Sequence, residues 1–220
     1  MDPFEEVWGQ REETIYGQLF GDTGKGIYVL DSDVFLKRFK QESLDPRWLH
    51  YGVFQCPPNT KRKTWLYVSS GMSNPWEKEP SEYSEEEYSG LGVEFVMETP
   101  EESSWAIRIL QDMVAYNILL SCGRMGDKPL LDYGDRIPLK NSITPDFESK
   151  IRNLIITKPP HYQSSFVLKS GKVNFLHFLG ITDVELAFGK NNGSDVLVER
   201  LKQENVYPLT DPHRGPALEA

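Results

Sequence analysis

Thr64-Trp-Leu-Tyr-Val-Ser-Ser-Gly-Met-Ser-Asn74 and Gly90-Leu-Gly-Val-Glu-Phe-Val96 are the two stretches on which the fold turns. Both are dense in β-branched and aromatic residues and read as strands. Between them, Glu77, Glu79, Glu82, Glu85, Glu86 and Glu87 alternate with Tyr83 and Tyr88, and only Lys78 opposes them. Like charge at that density resists packing, so residues 77 to 89 read as a solvated loop, and tyrosines set among acids can anchor a basic surface. The second strand should run over Leu91 to Met97, with Leu91, Val93, Phe95 and Met97 on one face and Glu94 and Glu98 on the other, as in a half-buried strand.

A long helix should follow, over about residues 100 to 122. Thr99 is placed as an N-cap, Pro100 at the first helical position, and Glu101-Glu102 supplies the capping-box glutamate. Trp105, Ile109, Met113, Tyr116 and Leu120 form one apolar stripe, with Ile107, Leu110, Val114 and Ile118 beside it. Only Arg108, Gln111 and Asp112 leave a polar strip, so the helix should be buried against a sheet. Gly123 caps it.

Upstream, Trp48 to Gln55 reads as a strand ended by Pro57-Pro58, and Lys63 to Ser70 as its hairpin partner. Tyr28 to Leu30 is strand-like, while Val34 to Phe39 fits a short helix or a second strand. The chain opens on a helix with Asp2 as N-cap, Pro3 in its first turn and Gly21 as its stop. Its stripe of Phe4, Val7, Trp8, Ile15 and Leu19 is interrupted around Arg11 and Glu12. Downstream, strands are expected at 151–156, 165–168 and 172–181, and short helices at 183–189 and 195–203, before an extended tail. The fold class is therefore α+β: a mixed or antiparallel central sheet, one long buried helix and shorter flanking helices. Residues 1–46 form a lead-in to the same domain, 47–205 its body and 206–220 the tail.

A hydrophobic share of 39% supports a packed core. No apolar run reaches the ~18 residues of a membrane span. The acidic start Met1 to Glu6 does not resemble a secretory signal, which points to the cytoplasm. Cys56 and Cys122 read as two free thiols, with a disulfide as the alternative. Twenty-four basic against 33 acidic residues give −9. Such a surface disfavours nucleic acid and favours a basic protein partner.

No catalytic motif emerges. Gly21-Asp-Thr-Gly-Lys-Gly26 lacks the first glycine and the Ser/Thr of a phosphate loop. His50, His161, His177 and His213 have no partner at metal-ligand spacing, so neither a metal nor a cofactor is expected. Ser69-Ser70-Gly71 and Ser164-Ser165 do not form a nucleophile elbow.

The ordered series Trp65 to Asn74, the acidic insert, Gly90 to Phe95 and the helix from Pro100 resembles the suppressor-of-fused (SUFU) domain family. The resemblance continues through Gly134-Asp-Arg-Ile-Pro-Leu139, Ile155-Ile-Thr-Lys158 and Val173 to Thr182. It implies a mixed α+β domain that binds proteins and is not an enzyme. Eukaryotic relatives join it to a second domain and clamp an extended peptide between the two. Stand-alone bacterial members resemble immunity proteins that neutralise a cognate toxin. The surface expected to meet a toxin or regulatory partner comprises Glu82, Tyr83, Glu85, Glu86, Glu87 and Tyr88, with Asp132 and Asp135.

Overall fold

The computed structural model describes residues 2–218; Met1 and the last two residues of the expected tail lie outside it. Eight strands form one mixed sheet: β1 (Ile27–Val29), β2 (Gly52–Cys56), β3 (Trp65–Ser70), β4 (Tyr88–Thr99), β5 (Arg136–Pro138), β6 (Ile151–Thr157), β7 (Ser165–Leu168) and β8 (Gly171–Thr182). Their spatial order is β1-β2-β3-β4-β8-β6-β5, with β7 also paired to β8. Adjacent pairs are antiparallel except the central one, where Val93 to Val96 of β4 run parallel to Asn174 to His177 of β8. The α+β class expected from the sequence is the fold observed.

Helix α3 (Ser104–Ser121) covers one face of the sheet. Its apolar side meets Val53, Tyr67, Phe95, Met97, Leu154, Ile156, Leu176 and Phe178 in the largest core cluster. The opposite face is divided. A helical arm, α1 (Pro3–Gly9) and α2 (Tyr16–Phe20) joined by a π-helical turn at Gln10–Ile15, packs on Phe54, Leu66, Val68, Val96 and Phe175. Helices α4 (Asp183–Asn192) and α5 (Ser194–Gln203) cover Ile155, Leu179 and Ile181.

Layers on both faces explain where the structure departs from the sequence pattern. Glu94 and Glu98, expected to face solvent, are 0% and 2% exposed because the helical arm covers that side of β4. On the arm the buried residues are Val7, Arg11, Tyr16 and Phe20, while Trp8 is turned outward. The steps of four, five and four follow from the π-helical turn, which rotates the face by one residue.

α3 begins at Ser104, later than the Thr99-Pro100 signal, because β4 continues to Thr99. The Thr99 hydroxyl bonds Glu101 O, and Ser103 N donates to the Tyr67 hydroxyl at 2.6 Å. A 3₁₀ turn occupies Pro46–His50, so β2 starts at Gly52 rather than Trp48. Residues 34–38 are helical. The tail is extended but integral. After Val96 and His177 the two central strands part, and residues 208–210 enter the gap. There Leu209 bridges Glu98, Thr210 N donates to Glu98 O, and the Thr210 hydroxyl receives Gly180 N. Cys56 is buried and Cys122 exposed; both are free.

Candidate protein-docking site

The acidic insert leaves β3 and returns to β4 through two limbs that are locked together. On the outgoing limb, Glu94 Oε1 accepts from Gly71 N, Ser73 N and the Ser73 hydroxyl at 3.1, 2.9 and 2.7 Å. Its other oxygen accepts from the Ser69 hydroxyl at 2.5 Å. Arg11 enters from the helical arm and donates to Ser70 Oγ, Ser73 Oγ and Asn74 Oδ1. The Tyr16 hydroxyl bonds Ser69 O at 2.6 Å. The Ser69, Ser70 and Ser73 hydroxyls and Asn74 Oδ1 thus each have a charged partner, which fixes one geometry. On the returning limb Gly90 has φ +55°, and a Cβ there would stand 2.5 Å from the Met72 and Asn74 carbonyl oxygens. Glycine permits that approach, and Leu91 N bonds Met72 O at 2.7 Å.

Between the limbs and the C-terminal end of α3 opens a cavity of about 350 Å³. Trp48, Tyr51, Met72, Trp76, Leu91 and Ile118 contribute to its largely apolar walls. Trp76 is held by the Phe4 ring, centroid to centroid 4.3 Å, and its buried Nε1 meets no acceptor at hydrogen-bonding geometry. At the rim Arg47 is pinned between Asp45 and Glu77 at 2.7 and 2.8 Å. A preformed apolar pocket with a charged rim suits an anchoring side chain of a protein partner.

The insert extends from this rim. Glu82 is exposed, but one of its oxygens closes a capping box on Glu79 N. Glu85 and Glu86 are exposed and make no ion pair among the described residues. Glu87 pairs with Lys78 at 2.6 Å, which holds its carboxyl below the usual range. Tyr83 turns inward against the core under the helical arm, and burial raises its phenol. Tyr88 is 58% exposed.

Asp132 and Asp135 belong to the turn before β5, where Asp135 accepts from Asp132 N at 3.0 Å. Between them Tyr133 bonds Phe175 O at 2.9 Å. Burial pushes its phenol up to about 12, with further contributions from Asp132 and Tyr88. The fold therefore brings Tyr88 and Asp132 to one neighbourhood, while Tyr83 points elsewhere. Among the described residues no group of three or more His, Cys, Asp or Glu side chains could hold a metal, and no helix is long and apolar enough to cross a membrane.

The pocket residues Arg47, Trp48, Tyr51 and Trp76 escaped the sequence reading. They sit in a 3₁₀ turn and in connections, where no periodicity marks a face. The available signal was two tryptophans in polar, non-periodic segments on either side of a hairpin.

The sequence matches the family described as Suppressor of fused protein (SUFU) over residues 47–215. No curated protein matches it. A suppressor-of-fused homologue of Neisseria gonorrhoeae is similar in structure at 20% identity and TM-score 0.61, covering 100% of this chain and 99% of that one. A chain of the Sufu-Fu complex is similar at 21% and 0.65, covering 91% and 88%. Drosophila Suppressor of Fused is similar at 20% and 0.58; the alignment takes in 76% of this chain but only 42% of the fly protein.

Proposed function

Because this chain belongs to the suppressor-of-fused family, we propose that it is a non-enzymatic protein-binding domain. Its role is that of a cytoplasmic immunity protein that occludes a cognate, basic toxin domain. The observation carrying this reading is the apolar pocket at Trp48 and Trp76, whose rim at Glu77 and Lys78 is the start of the acidic insert that carries the unpaired carboxylates Glu85 and Glu86. An aromatic or aliphatic anchor in the pocket supplies most of the affinity, and the acidic rim speeds encounter with a basic surface. The contact surface extends to Glu82, Glu87, Tyr88, Asp132 and Asp135, while Tyr83, packed inward, supports the insert from beneath.

A second reading, an adaptor that captures an extended segment of a regulatory protein, draws on the neighbour solved as a Sufu-Fu complex. It also draws on the pocket, whose size suits one or two side chains. The test begins with a pull-down from the native host, followed by binding kinetics on the partner recovered. Glu85→Lys with Glu86→Lys should slow association at least tenfold at low salt, and Trp76→Ala should mainly speed dissociation. Unchanged rates in both variants would remove this surface from the interface. Tight binding of short peptides from the partner would favour the adaptor.

A further inference from the structure

Strand β4 places two carboxylates on one face and treats them differently. Glu94 accepts four hydrogen bonds, from Ser69, Gly71 and twice from Ser73. Glu98, 2% exposed, accepts one, from the Thr64 hydroxyl at 2.8 Å. No lysine, arginine or histidine among the described residues forms an ion pair with it. Buried carboxylates are ordinarily paired or fully hydrogen-bonded, so Glu98 keeps unused accepting capacity.

That capacity faces a cavity of about 310 Å³. Its walls include Leu19, Leu66, Tyr162 and Leu209, and Lys61 and Lys63 line it from the exposed β2–β3 hairpin. Two further polar atoms close to Glu98 have no protein partner: the Tyr162 hydroxyl and His177 Nδ1. His177 Nε2 lies 3.0 Å from Pro208 O and so carries the proton, which leaves Nδ1 an acceptor. Of these two groups only Tyr162 lines the cavity, so its interior offers the Glu98 carboxylate and a phenol. Its mouth offers Lys61 and Lys63 beside Arg62, whose guanidinium is engaged by the Phe20, Cys56, Pro57 and Thr64 carbonyls. A simple anion would be repelled by Glu98, and a simple cation by the lysines.

We infer that this cavity binds a basic amino acid, its side-chain cation on Glu98 and its α-carboxylate at Lys61 and Lys63. Apolar walls between the two ends suit the methylene chain of such a molecule. The cavity lies on the sheet face opposite α3, so the proposal stands independently of the docking pocket at Trp76.

Titration calorimetry on the full chain with L-arginine, L-lysine and agmatine tests it, agmatine being arginine without its carboxylate. Saturable binding of an amino acid is expected, with agmatine weaker by about tenfold or more. Glu98→Gln keeps an acceptor for Thr64 and should reduce binding by a similar factor. Lys61→Ala with Lys63→Ala alters only exposed positions, so folding is preserved; it should weaken the amino acid and leave agmatine unchanged. No saturable heat for any probe at millimolar concentration would overturn the proposal. So would agmatine binding as tightly as arginine, or the lysine variant retaining full affinity.

Discussion

Glu94 ties the residue scale to everything larger, because one carboxylate organises the turn from which the acidic insert departs. Replacing it by Gln puts an amide N–H₂ into a site built only of donors, and the Ser69 hydroxyl already accepts from Phe95 N. Glu94→Gln should cost about 2–4 kcal/mol, read as a fall in the urea midpoint without change of slope. A midpoint within a few tenths of a molar of the parent would show that the network is not taut. The strand containing Glu94 was evident from its alternation, and so was the face each residue occupies. What alternation could not convey is that the second face is also covered. That depends on the helical arm, more than 70 residues earlier in the chain, and on Arg11, which a stripe-based reading treats as an interruption.

Among elements, the extended tail illustrates how much one ion pair can hold. Arg214 reaches Glu185 at 2.6 and 2.8 Å, and Ala217 N adds a third bond to the same carboxylate. Burial works to raise the Glu185 carboxyl, but Arg214 and the backbone amides prevail and hold it below its ordinary 4.5. The sign follows: this stabilisation is complete above 4.5 and is lost as pH falls through the lower folded value. Arg214→Ala leaves Glu185 buried without its cation. It should lower stability by about 3 kcal/mol at pH 7 and by much less in acid. Tail cleavage by a protease should rise in parallel; a variant as resistant as the parent would show that the pair is dispensable. Helices α4 and α5 were legible as two short helices, and α3 from its stripes. The tail's place inside the sheet was not, because its partners Glu98 and Gly180 belong to strands that only the long-range pairing brings apart.

For the whole molecule, acid should act through opposing buried groups. Burial holds the His177 imidazole below 6.5, so the unfolded chain takes up that proton first and stability falls as pH drops below 6.5. Asp112 runs the other way. Burial raises its carboxyl to about 6, against the pull of Arg38 and Arg108. Its ionised form is therefore a cost above that value, relieved as pH falls toward 3.8. Arg38 is 58% exposed, so its ion pair with Asp112 offsets little of this. Asp112→Asn should gain on the order of 1 kcal/mol at pH 8, shrinking toward nothing by pH 4. Thermal melts across that range check it, and a variant curve parallel to the parent's would refute the assignment. The parallel pairing at the centre of the sheet also bears on how the protein is made. Val93 to Val96 and their partners Asn174 to His177 leave the ribosome roughly eighty residues apart. Until the later strand emerges, the earlier half carries an unpaired strand edge, open to pairing with other chains during synthesis.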